Sequence, residues 1–169
     1  MNPETEVSIE EDIQCITQQE QRLVCAEFDL NTAWQLGTRL REIALARNQP
    51  LTIEIRLARE TVFFCAMPGV APSNADWARR KRNTVELMHR SSYGVGRDLE
   101  RDAQTLQSLM GLDARDHASH GGSFPVKVKQ LGCVGAVTVS GAPQRVDHDI
   151  VVMALAELCG LPLHEIALK

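Results

Sequence analysis

"LTIEIRLARETVFFCAM", Leu51 to Met67, is the stretch that decides the fold. Leu51, Ile53, Ile55 and Leu57 fall on one side of an extended chain, with Thr52, Glu54 and Arg56 on the other. That period of two marks a strand with one apolar face. "TVFFCAM" follows directly after Arg59 and Glu60. Two strands joined by so short a link form an antiparallel hairpin, because a parallel crossover needs about a dozen residues or more. "FPVKVKQ" from Phe124 and "LGCVGAVTVSG" from Leu131 repeat the arrangement, so a second hairpin is expected.

Outward from the hairpins the periodicity turns helical. Ser8 to Arg22 carries Ile9, Ile13 and Ile16 at helical spacing, and Ser8 followed by Glu11 fits a capping box. "LVCAEFDL" reads as extended. Leu36, Leu40, Ile43 and Ala44 mark the face of a second helix, with Asp29, Asn31 or Thr32 as its cap and Pro50 beyond its end. Gly37 inside it costs about 1 kcal/mol relative to Ala and reads as a close-packing position. Ala75–Ser92 is a third helix, Tyr93–Leu112 holds more helix, and Asp147–Cys159 is the last, ended by Gly160 and Pro162. The order is helix, helix, hairpin, helix or helices, hairpin, helix. Such an order builds a largely antiparallel sheet with helices packed on it, an α+β fold.

Composition narrows the function. A chain of 169 residues with 44% hydrophobic and 24% charged residues is that of a globular protein. A net charge of −4 excludes a coat for nucleic acid. The five cysteines, Cys15, Cys25, Cys65, Cys133 and Cys159, show no framework spacing and read as reduced thiols packed in a cytosolic protein. The acidic start, MNPETEVSIEEDI, lacks the basic and apolar regions of a secretory signal, and no apolar run is long enough to span a bilayer. A cytoplasmic location without membrane or nucleic-acid partners is expected. HExxH, P-loop, GxSxG and GxGxxG motifs are absent.

Three stretches are left to carry chemistry. In "DHASHGGSFPVKV", Asp116 to Val128, His117 and His120 stand three apart, and Gly121 and Gly122 allow close approach to the backbone. The alternatives are a ligand-binding loop, with Ser123 beside the glycines, or a plain turn with solvated histidines. Four zinc ligands are not in view, so no metal site is expected. In "VSGAPQRVDHDIVV", Asp147 suits the positive end of a helix dipole, which disfavours a cation on His148. His148 reads either as a neutral imidazole able to bind a metal or take a proton, or as an exposed side chain beside a cap. In Arg79-Arg80-Lys81-Arg82, Arg79 and Arg82 share a helical face with Asn83 near by. That face is either simply solvated or a docking point for carboxylates or phosphates.

"WARRKRNTVELMHRSSYGVG" (Trp77–Gly96), "HGGSFPV" (His120–Val126) and "GAVTVSGAPQRVDHDIVVMAL" (Gly135–Leu155) together resemble the haem-degrading domain superfamily (HbpS/GlcG-like), in its branch of small cytoplasmic UPF proteins. The resemblance runs from about Thr32 to Leu161 and implies one domain over 1–169 with a helical extension at about 1–28. It further implies a profilin-like or PAS-like fold with a five-stranded antiparallel sheet, and self-association as dimers or larger rings. Members of the superfamily bind haem, and many carry an Asp-Glu pair where this chain has Asp147-His148. Three functions are therefore set side by side. The first is a tetrapyrrole-binding protein with His120 as axial ligand, His148 or His117 as alternatives, and Arg79 or Arg82 on the propionates. The second is an enzyme or sensor for a small anionic metabolite, held by Arg79, Arg82, Asn83, Gly121 and Gly122, with His120, His148 or Asp147 as catalytic candidates. The third is a non-catalytic homo-oligomeric assembly protein.

Overall fold

The computed structural model describes residues 8–169; the acidic residues 1–7 lie outside them. In chain order the elements are α1 (Ile9–Arg22), α2 (Leu30–Ala46), β1 (Thr52–Leu57), β2 (Glu60–Ala66), α3 (Ser73–Met88), α4 (Ser92–Arg101), α5 (Leu106–Met110), β3 (Ser123–Val128), β4 (Gly132–Ser140) and α6 (Gln144–Cys159), then a 3-10 turn at Leu163–Glu165. Both hairpins form as the alternation dictates. β1 and β4 pair antiparallel, which joins the hairpins into one sheet of order β2-β1-β4-β3.

The sheet has four strands among the described residues, which corrects the expected five. The segment after α1 gives a single parallel bridge, Cys25 with Val128, instead of a strand. The Cys25 amide donates to Lys127 (2.8 Å) and the Lys129 amide to Cys25 (2.9 Å). The chain then turns into α2, whose cap is Asp29, closed reciprocally by Thr32. No room is left between bridge and cap for a longer ladder.

α2 and α6 cover one face of the sheet. Leu51, Ile53, Ile55, Val137, Val139 and Phe124 are fully buried there against Leu36, Leu40, Ile150 and Leu155. A Cβ on Gly37 would stand 2.5 Å from the Phe63 ring, so glycine is what lets α2 lie this close to β2. α3 covers the opposite face. Thr52 and Glu54, on the polar side of the β1 alternation, are therefore buried as well. Arg82 crosses from α3 and donates to both Glu54 carboxylate oxygens, at 2.9 and 3.0 Å. Ser123 and Thr138 share a buried hydroxyl hydrogen bond of 2.7 Å. One face of the sheet is thus apolar and the other polar, and in β1, β3 and β4 most residues of both faces are buried.

α1 packs on α4 through polar groups as well as through Ile16. Its Asp12 is buried between Arg145 of α6 (2.8 Å) and Arg97 of α4 (3.1 Å). Among the described residues no helix is long and apolar enough to cross a membrane.

Candidate functional site

The polar face of the sheet leads to the site. Lys81 lies in the middle of the Arg79–Arg82 run, yet its side chain is 3% exposed. Its ammonium donates to the carbonyls of Val139 (2.6 Å) and Gly121 (3.0 Å) and to the Asp147 carboxylate (3.1 Å). Three acceptors match the three N–H bonds of an ammonium, so its donor capacity is fully used. Asp147, in the first turn of α6, also accepts from the amides of Ala142 (3.0 Å) and Gly141 (3.4 Å). Burial pushes the Asp147 carboxyl up and the Lys81 ammonium down from their ordinary values, and the attraction within the pair opposes both shifts.

The glycines of the opening motif fit around this pair. Gly122 sits at φ 125°, and a Cβ there would stand 2.5 Å from both Lys81 Nζ and the Val139 carbonyl. A Cβ on Gly121 would stand 2.2 Å from the Gln144 carbonyl. The Gly121 amide donates to Gln144 Oε1 (3.3 Å). His120 is thereby presented at a fixed place, with its ring edge-on to Trp77, centroids 4.9 Å apart.

His120 lies where three clefts adjoin. One, of about 210 Å3, is lined by Trp77, Lys81, Gly121, Gln144 and Asp147. A second, of about 450 Å3, lies between the His117–Ser119 segment, Arg80 and the α4–α5 region. A third, of about 130 Å3, runs past Tyr93, Arg97 and Gln144. Neither ring nitrogen of His120 makes a hydrogen bond among the described residues. Burial, then the charges of Lys81 and Arg80, pull its pKa below the ordinary histidine value, which favours the neutral ring.

The other sequence candidates are placed elsewhere. His148 is 1% exposed, which corrects the reading of an exposed side chain. Its Nε2 donates to Gln19 Oε1 (2.8 Å), and the ring packs on Tyr93 and Phe124. It lines none of the three clefts. His117 follows the turn at 114–116 and is not on a helix with His120, and its buried Nδ1 has no hydrogen-bond partner among the described residues. Arg79 pairs with Asp76 and Asp116 (both 3.0 Å), and Asn83 donates to the Asp116 carbonyl (2.8 Å). With Arg82 on Glu54, all three are engaged within the chain, and none lines the 210 Å3 cavity. Ser123 is buried at the start of β3. Lys81, Trp77 and Gln144 were not singled out by sequence. Trp77, an aromatic residue at i−4 from Lys81 on the same helix, was the one local signal for them.

The site is thus a tightly folded glycine loop packed against the start of α6 on an α+β sheet, with His120 beside it. The chain belongs to the family described as "Haem degrading protein HbpS-like", whose model matches residues 28–156. α1 precedes the matched stretch. A UPF0303 protein of Azotobacter vinelandii is 49% identical over 162 residues, which is 96% of this chain and 98% of that protein. The crystal structure of the Ybr137w protein superimposes with a TM-score of 0.80 at 25% identity, over 92% of this chain and 89% of that one. A crystal structure of a PduOC–heme complex shares the fold, with a TM-score of 0.63 at 22% identity over 79% and 94% of the two chains.

Proposed function

We propose that this protein binds a tetrapyrrole, haem or a relative of it, with His120 as the axial donor. The observation that carries the proposal is the free imidazole of His120, favoured in its neutral form, at the meeting of three clefts. A metal takes the neutral form of histidine, and His148 and its hydrogen bond are shut in the core. The 450 Å3 cleft falls within the roughly 300–1,000 Å3 of small-molecule sites, and His120 joins it to the other two. Arg80, whose guanidinium lies 4.2 Å over the Trp77 ring, lines the same cleft and supplies a cation for a propionate. Were the group bound there, His120 would hold its iron and Arg80 a propionate. The PduOC–heme complex is a neighbour in fold and supports the reading to that extent.

An absorbance titration with haemin tests it. Wild type is expected to give a saturable Soret shift at micromolar protein, lost in His120→Ala and kept in His117→Ala. Absence of a saturable shift in wild type overturns the proposal. One observation favours a second reading, a small anion in the 210 Å3 cavity. α6 starts there at Pro143, and no side chain caps its first amides. Calorimetry with small carboxylates and phosphate separates the two.

Self-association, as a dimer or larger, is part of the proposed function, as is a cytoplasmic setting for the five free thiols. Leu30 and Trp34 are 67% and 64% exposed on one face of α2, beside the open edge strand β2. Sedimentation velocity is expected to show an assembly that Trp34→Glu reduces in mass; a monomeric wild type overturns this.

A further inference from the structure

Two of the five cysteines touch. Cys25 Sγ and Cys159 Sγ are 3.6 Å apart, although 134 positions separate them in the chain. The other three are apart from them and from one another: Cys15 donates to the Ile166 carbonyl, Cys133 to the Gly135 carbonyl, and Cys65 stands on β2. The touching pair sits at a junction. Cys25 is held to the edge of β3 by backbone hydrogen bonds on both sides, and Cys159 is the last residue of α6. Gly160 follows in the left-handed region at φ 67°, so the Cys159 end of the pair is a helix terminus, free to adjust. Closing a disulfide needs an approach of about 1.5 Å between the sulfurs, within reach of side-chain rotation at a helix end. Cys25 is buried, whereas Cys159 is partly exposed and gives an oxidant its entry.

We propose that Cys25 and Cys159 are a reversible dithiol–disulfide site oxidised by low-molecular-weight disulfides. A thiolate of the pair attacks the S–S bond of the oxidant, forms a mixed disulfide and releases one small thiol. The second sulfur then displaces the other small thiol, and the Cys25–Cys159 bond forms. The oxidant gains two electrons, and the two thiol protons pass to the released thiols. The contact itself favours the first step. A thiolate on one sulfur is stabilised by the hydrogen bond from its neighbour, which draws the first deprotonation below the ordinary cysteine value and drives the second above it. The bond ties the connector between α1 and α2 to the far end of the helix that carries Asp147 and His148 at its start. It also closes a loop of more than a hundred residues, which constrains the unfolded chain strongly.

Incubating the full chain in redox buffers of oxidised and reduced glutathione tests the site. Expected are the loss of two of the five thiols, a mass lower by two hydrogens, and one proteolytic peptide joining Cys25 to Cys159, all reversed by dithiothreitol. The melting temperature is expected to rise by roughly 5–10 °C on oxidation of wild type and not of Cys159→Ser. Thiols that stay reduced in every buffer that leaves the fold intact overturn the proposal. So does oxidation that yields only glutathione adducts, interchain links or a pairing of other cysteines.

Discussion

Replacing Lys81 with methionine is expected to lower the free energy of unfolding by about 3–5 kcal/mol, a large share of the stability of a domain this size. The substitution keeps the volume and the apolar stem but deletes the charge. Asp147 is then left as a buried carboxylate with only the Ala142 and Gly141 amides to hold it. The carbonyls of Gly121 and Val139 lose a donor at the same time. Asp147→Asn alone leaves the ammonium unpaired and is expected to be comparably harmful. Because both residues belong to one network, the double variant is expected to cost clearly less than the sum of the singles. Urea unfolding midpoints at constant slope give the three values. A loss under about 1 kcal/mol in Lys81→Met would show that the lysine is not the anchor of the glycine loop. The same variant reports on the site, because Gly121 and Gly122 hold the position of His120. Arginine is no substitute, since the Gly122 backbone is already against the ammonium.

Lys81 also shows what the sequence hides. A run of four cations on a helix reads as a solvated face, and Arg79, half-buried and paired with Asp76 and Asp116, already departs from that reading. Lys81 goes furthest: its partners, Gly121, Val139 and Asp147, come from a loop, from β4 and from α6, far along the chain. No local period encodes such a meeting. The hairpins were legible for the opposite reason: alternation and a short link are local, and they leave one geometry. Thr52 and Glu54 lie between these cases. Their alternation with Ile53 and Ile55 was plain, but that the polar side is itself covered follows only from α3 lying across it. In "HGGSFPV" the residues alone left a ligand loop and a plain turn open; what the structure adds is the close packing that the missing Cβ atoms of two glycines permit. The fifth strand failed because one bridging residue between a helix end and a helix cap cannot extend into a ladder.

His148 sets the acid limit of the fold. Its ring is fully enclosed, and burial, with the Arg145 charge adding to it, pushes its pKa down to about 3. The surroundings offer nothing to hold a cation: Gln19 accepts the one proton the neutral ring donates, and Tyr93 and Phe124 pack on the ring. In the unfolded chain the same imidazole takes a proton near pH 6.5. A depressed value in the folded state means that the unfolded state binds the extra proton first. The contribution to stability is therefore complete above about pH 6.5 and is lost as the pH falls towards 3. By about pH 4.5 the loss from this group alone is roughly 2–3 kcal/mol. Other carboxylates titrate over the same range, so the measurement is a difference. Urea unfolding of wild type and His148→Gln, each followed from about pH 7 down to 4.5, is expected to show a steeper fall in wild type by that amount. Proton resonances of the imidazole supply the direct check, holding their neutral-ring positions down to about pH 4 while the protein stays folded. Parallel stability curves for the two proteins, or a ring that titrates near pH 6, would mean that water reaches His148 and that the α6 start is more open than its packing against Tyr93, Phe124 and Gln19 requires.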